Sequence, residues 1–249
     1  MQAYWALLRR ELAGYFLSLT GYVIIAATAF LLGLSFVILL TNLQEEPTSM
    51  PVTEIFYMTQ FFWLILLLAV PVITMRLFAL EKFSGTFETL MTTPVSERQV
   101  VAAKFTAALA FYMVIWLPLL GCLFIVRHYS AEVATLDPGV IGSTFLGIFL
   151  LGGLFVSLGC FASSLTRSQM TAAMISLAFS VSLFLLSFLA RRVPGDSWKA
   201  QTLSYFGLPD QMHDFVRGVV DLRPVVLYVS LTLLFLFLTL RVVESRRWK

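Results

Sequence analysis

The chain has 249 residues, of which 59% are hydrophobic and 12% charged, with a formal charge of +3 and a mean hydropathy of +0.89. A soluble globular domain is about 45–50% apolar and about 25% charged, so a soluble domain, a disordered chain and a disulfide scaffold are excluded. The pI near 9.0 fits basic edges facing membrane lipid rather than a nucleic-acid footprint, and the composition describes an integral membrane protein.

Residues 1–20 place Tyr4, Leu7, Leu8, Leu12, Tyr15, Phe16 and Leu19 at i, i+3/i+4 spacing, with Gln2, Arg9, Arg10, Glu11 and Ser18 on the other side. This predicts a helix lying in the interface plane. A plain extension of the first span is the alternative, and Gly14 and Gly21 favour a bend between the two. A cleaved signal peptide does not fit, because the apolar run continues unbroken to residue 40.

A helix crosses the hydrocarbon core with about 20 apolar residues. Six stretches qualify, at 21–40, 55–75, 105–126, 140–163, 171–189 and 225–240, and none holds Asp, Glu, Lys or Arg between its ends. The expected fold is therefore all-α, with six transmembrane helices. Basic residues set the orientation. With the N-terminus in the cytoplasm, Arg9, Arg10, Arg76, Lys82, Arg98, Lys104, Arg167, Arg241, Arg246, Arg247 and Lys249 lie inside. Arg127, Arg191, Arg192, Lys199, Arg217 and Arg223 lie outside, five of them in the single loop 190–224. The chain reads as N-in and C-in.

The largest cytoplasmic piece is 76–104. Ser84 and Thr86 offer hydroxyl caps to a short helix carrying Phe87, Glu88, Leu90 and Met91, with Gly85 permitting a tight turn into it and Pro94 stopping it. Phe87, Leu90 and Met91 form an apolar face suited to packing on another surface, and Glu81 and Glu88 suit polar contacts that fix its register. A solvated turn is the plainer alternative. Ser96 and Gln99 then have the spacing of a capping box that launches the third span.

The fourth and fifth spans carry small residues. Gly153 and Ser157, and Gly159 and Ser163, are small-xxx-small pairs that permit close helix contact. Ser176, Ser180 and Ser187 share one face of the fifth span. These residues fit a translocation wall or subunit seam and fit ordinary packing equally. In the loop 190–224, Leu208, Met212, Phe215, Val216 and Val219 recur at helical spacing opposite Asp210, Gln211, His213, Asp214 and Arg217. That helix is too short to span, so it should lie on the outer surface or dip in and return.

Several chemistries have no signal. The four lysines follow Glu81, Ala103, Trp198 and Trp248, so no Gly-Lys-Ser/Thr phosphate loop exists. His128 and His213 lack a nucleophile in a recognisable motif, and no spacing supports a metal. Cys122 and Cys160 fall near opposite membrane faces, beyond disulfide reach. Catalytic, cofactor and metal sites are not expected. The absence of an ionisable residue inside the spans disfavours an ion- or proton-coupled secondary transporter.

The run Met75-Arg76-Leu77-Phe78-Ala79-Leu80-Glu81-Lys82-Phe83-Ser84-Gly85-Thr86-Phe87-Glu88-Thr89-Leu90, followed by Pro94-Val95-Ser96, resembles the ABC-2-type exporter permeases. Ser164-Leu165-Thr166-Arg167-Ser168-Gln169 and Arg217-Gly218-Val219-Val220-Asp221-Leu222-Arg223 resemble the gliding-motility group and its neighbours, the nitrous-oxide-reductase maturation permeases. Leu19-Thr20 departs from that group, which often has a Pro after the serine. The resemblance implies a type V exporter fold with an interfacial helix, a coupling helix and an outer re-entrant hairpin. It implies an inner-membrane permease that pairs with a second or homologous copy and docks a separate ABC ATPase, which binds the ATP and Mg. An accessory membrane subunit with an outer domain is also implied, and with it a non-transporting alternative that relays force across the membrane.

Overall fold

The computed structural model describes residues 2–45, 52–87, 95–129, 137–192 and 205–245. These form eleven helices: α1 (Gln2–Phe16), α2 (Leu19–Glu45), α3 (Val52–Met58), α4 (Phe61–Thr74), α5 (Ala79–Ser84), α6 (Glu97–Ile115), α7 (Leu117–Tyr129), α8 (Pro138–Leu165), α9 (Gln169–Arg192), α10 (Leu208–Val216) and α11 (Leu222–Ser245). Among the described residues there is no strand. Six helical stretches are long and apolar enough to cross a membrane: Leu19–Thr41, Phe61–Ser84, Glu97–Val126, Pro138–Leu165, Gln169–Phe188 and Leu222–Ser245.

Local chemistry explains the ends. Asp137 caps α8 by accepting from Gly139 N at 2.8 Å, with Pro138 in the first turn where no amide is needed. Ser96 and Gln99 make the reciprocal capping box of α6, with Ser96 Oγ accepting from Gln99 N at 3.4 Å and Ser96 N donating to Gln99 Oε1 at 3.3 Å. Two apolar stretches are broken where hydropathy gives no warning. The stretch 55–75 divides at Gln60, whose φ of 61° is left-handed, so α3 is a separate helix ahead of α4. The stretch 105–126 divides at Trp116, because Pro118 has no amide to continue the ladder.

Helix α8 is the axis of the molecule. It packs on α11, α9, α10, α6 and α4, and its span is the most enclosed of the six. Its glycines allow this crowding: a Cβ on Gly152 would lie 2.1 Å from Tyr112 Cε1, and one on Gly159 would lie 2.2 Å from Thr74 Oγ1. The two ends of α8 anchor different elements. Ser143 Oγ donates to Phe215 O of α10, while Ser163 meets the amides that open α5. Twenty residues of helix separate them, about 30 Å, the thickness of a bilayer core.

Helix α1 is distinct from α2, divided at Leu17 and Ser18, and it packs along α6. Tyr15 stacks on Phe111 at 4.8 Å and Tyr4 bonds Thr106 at 2.9 Å. The turn into α2 is tight enough that a Cβ on Gly21 would meet Tyr15 O at 1.9 Å. The apolar side of α1 is thus partly spent on protein, with Leu7, Leu8 and Leu12 against the core.

Candidate functional site

At the α5 end of the bundle, four charges from three helices meet. Lys104 on α6 lies 3.0 Å from Glu11 of α1 and 2.9 Å from Glu81 of α5, and its side chain is only 3% exposed. Arg10, 51% exposed, closes the group from outside at 2.7 Å from each carboxylate. Burial alone would raise the Glu11 carboxyl, but Lys104 and Arg10 outweigh it and hold it below its ordinary value. Burial likewise works against the Arg10 cation, and Glu11 and Glu81 overcome it and raise it further. Lys104 also sits over the Phe78 ring, 5.5 Å from its centroid.

Helix α5 is tied at both ends. Ser163 Oγ accepts from Phe78 N and Ala79 N, each at 3.1 Å, and donates to Met75 O at 3.2 Å. Lys82 reaches Ser164 O at the end of α8 and covers the Phe87 ring at 5.4 Å. Gly85, at φ 74°, is the left-handed C-cap of α5 and makes the turn between α5 and the helical residues Thr86 and Phe87. Ser84 Oγ correspondingly donates back to Glu81 O at 3.3 Å, and it meets Thr86 Oγ1 at 2.8 Å. Thr86 and Phe87 are helical again, with Phe87 buried; Glu88, Leu90 and Met91 lie outside the described residues.

The opposite end carries its own charge cluster. Glu54 of α3 is buried, and its Oε1 accepts from Arg217 Nε at 2.8 Å and pairs with His213 Nε2 at 3.1 Å. The hydrogen bond it donates to Glu54 raises the Arg217 guanidinium, against desolvation. Leu208, Met212, Phe215 and Val216 are buried against α8, α3 and α9. The helix stops at Val216, so Val219 is not on it and is 56% exposed. Tyr57, Trp63, Phe184, Phe188 and His213 line a cleft of about 690 Å³ between α3, α4, α9 and α10.

The small residues of α8 and α9 separate into roles. Gly159 and Ser163 serve packing and the α5 cap, and Ser157 bonds back to Leu154 O at 2.7 Å. Gly153 is different, since the nearest atom to a Cβ there is Thr232 Oγ1 at 3.8 Å. Ser176 and Ser180 are buried with no hydrogen-bond partner among the described residues, whereas Ser187 takes the Leu208 amide at 3.2 Å and donates to Phe206 O at 2.7 Å. Cys122 and Cys160 are free thiols.

Pattern reading missed Arg10, Glu11, Lys104 and Glu54 as a set. The contacts Arg10–Glu81, Lys104–Glu11 and Glu54–Arg217 join residues 71, 93 and 163 apart in sequence, and no local spacing marks such pairs. The first cluster joins α5 to α1 and α6, and Ser163 joins α5 to α8.

The sequence model of the family described as ABC-2 family transporter protein matches residues 44–239. No curated protein matches the chain.

Proposed function

The chain belongs to the ABC-2 transporter family, and we propose that it is the permease subunit of an exporter driven by a separate ABC ATPase. In this reading the α5 end faces the cytoplasm of a cell with an inner membrane. The segment after Gly85, carrying Phe87, Glu88, Leu90 and Met91, seats in a groove of the ATPase, which holds ATP and Mg. Glu81 belongs to the receiving side of the joint, because its Oε1 is committed to Lys104 and Arg10. A second copy or a homologous permease completes the complex.

The observation that carries the reading is the anchoring of α5. A segment meant only to connect two spans needs no buried ammonium between two carboxylates and no hydroxyl from a third helix on its opening amides. Both devices stiffen a lever, so that force on residues 86–94 moves three helices rather than bending a loop. The likeness of the runs 164–169 and 217–223 to the gliding-motility and maturation permeases favours a second reading. There the same stroke drives an accessory subunit with an outer domain, and nothing crosses.

Leu90→Asp tests the docking claim. A charge in an apolar contact is strongly disfavoured, so the ATPase should no longer co-purify with the variant, while the spans stay folded. Wild-type co-purification and wild-type ATP hydrolysis in Leu90→Asp would remove this segment as the docking element.

A further inference from the structure

One cation at the junction of α1, α2 and α4 has no carboxylate. Arg76 Nη1 donates to Ser18 Oγ at 3.2 Å and to Thr20 Oγ1. Among the described residues no Asp or Glu is within ion-pair distance of it. It shares the wall of a cavity of about 110 Å³ with Glu11, Tyr15, Glu81 and Lys104. The two carboxylates there are matched by Arg10 and Lys104, so the charge of Arg76 remains uncancelled. A guanidinium offers five N–H donors in a fixed fork; Nη1 is used, and Nε and Nη2 bond to nothing among the described residues.

The position of this cation decides what would meet it. Span one begins at Leu19, and the end of α4 is pinned to the same level by Tyr15 OH donating to Ile73 O at 2.9 Å. Span four also ends here, at Leu165, with Ser163 on the α5 amides. Arg76 therefore lies level with the start of span one and the end of span four, where the polar edge of a bilayer would meet it. Leu17 and Leu19 are each 82% exposed beside it, and Tyr22 and Val23 continue the apolar surface down α2. Side chains this apolar and this open face hydrocarbon rather than water.

The geometry points to a bound phospholipid. Its phosphate takes the free Nε and Nη2 donors of Arg76, which Thr20 Oγ1 holds in place through Nη1, and its acyl chains lie along Leu19, Tyr22 and Val23. An anionic headgroup is favoured because the cluster carries net positive charge. Free phosphate shares the headgroup chemistry but has nothing to place against the apolar strip. The bound lipid joins the start of α2 to the end of α4, so bilayer charge bears on how α1 and α5 are seated. This inference needs only that the helices span a membrane and stands apart from ATPase docking.

Native mass spectrometry of the full-length protein in detergent, titrated with dioleoylphosphatidylglycerol, dioleoylphosphatidylcholine or inorganic phosphate, tests it. Wild type should retain one phosphatidylglycerol in preference to phosphatidylcholine. Arg76→Gln should weaken that binding about fivefold, the factor for about 1 kcal/mol per basic residue at an anionic surface. Thr20→Val should weaken it less, and Arg9→Gln, an exposed arginine of α1, should leave it unchanged. Thr20→Val removes an exposed hydroxyl that holds Arg76 Nη1 and leaves the guanidinium in place, so it keeps the test decisive if Arg76→Gln does not fold. Equal binding of both lipids, equal losses in Arg76→Gln and Arg9→Gln, no loss in Thr20→Val, or displacement of the lipid by inorganic phosphate would each overturn the assignment.

Discussion

Replacing Lys104 by methionine keeps an apolar chain of similar length and removes the ammonium from between Glu11 and Glu81 and from over the Phe78 ring. The ammonium is almost wholly buried, at 3.0 and 2.9 Å from the two carboxylates. Removing one partner of a buried pair costs about 3–5 kcal/mol, because the remaining charge stays desolvated. Arg10 still reaches both carboxylates after the change, which places Lys104→Met near the low end, about 3 kcal/mol. Arg10→Gln should cost far less, about 0–1 kcal/mol, since that side chain is half exposed. Reversible unfolding in mixed micelles titrated with dodecyl sulfate measures both variants. Adding Glu81→Gln to Lys104→Met should recover part of the loss, giving a coupling of about 1–3 kcal/mol. Strict additivity, or a Lys104→Met loss no larger than that of Arg10→Gln, would refute the buried-network account.

Further outcomes follow from the same geometry. Glu11 is held below its ordinary value of 4.5, so its stabilising contribution is complete above that value and is lost as pH falls through the lower folded value; Glu11→Gln should flatten that acid limb of the stability profile. Ser163→Ala leaves the Phe78 and Ala79 amides without their acceptor and should cost about 1–3 kcal/mol in the same unfolding assay. Gly152→Ala and Gly159→Ala place a methyl within 2.2 Å of side-chain atoms and should each cost about 1–3 kcal/mol by overpacking, whereas Gly153→Ala, which meets only Thr232 Oγ1 at an ordinary contact distance of 3.8 Å, should be neutral or stabilising. Phe215→Ala should destabilise by about 3–5 kcal/mol, well beyond His213→Ala. Impermeant thiol labelling of intact cells should modify His128→Cys and spare Ser168→Cys; the reverse would invert the orientation proposed above.

Much of the architecture is written in hydropathy, because a bilayer demands long apolar helices. Features that depend on adjacent residues were equally readable: the Ser96–Gln99 capping box, and the burial of Leu208, Met212, Phe215 and Val216 on one side of a short helix. What escaped depends on distant residues or on backbone geometry. Gln60 adopts a left-handed φ that no neighbour announces, and Trp116 ends α6 inside a run that hydropathy treats as continuous. Gly85 was ambiguous for a physical reason, since a glycine between hydroxyl residues can close one helix or open the next; its φ of 74° closes α5. Ser163 looked like a packing residue of α8, yet it caps a helix 84 residues earlier. Lys104 and Glu54 carry no surface role in sequence beyond their charge; only packing reveals that both are buried and matched.

Site-specific photo-crosslinking in intact membranes tests whether the segment after Gly85 meets an ATPase. A photoreactive analogue at position 91, next to Leu90 on the proposed docking segment, should give one dominant protein adduct. Mass spectrometry should identify it as an ABC ATPase, and Leu90→Asp should abolish it. Adducts confined to lipid, or to a protein on the opposite membrane face, would contradict the claim that this segment is where an ATPase drives the permease.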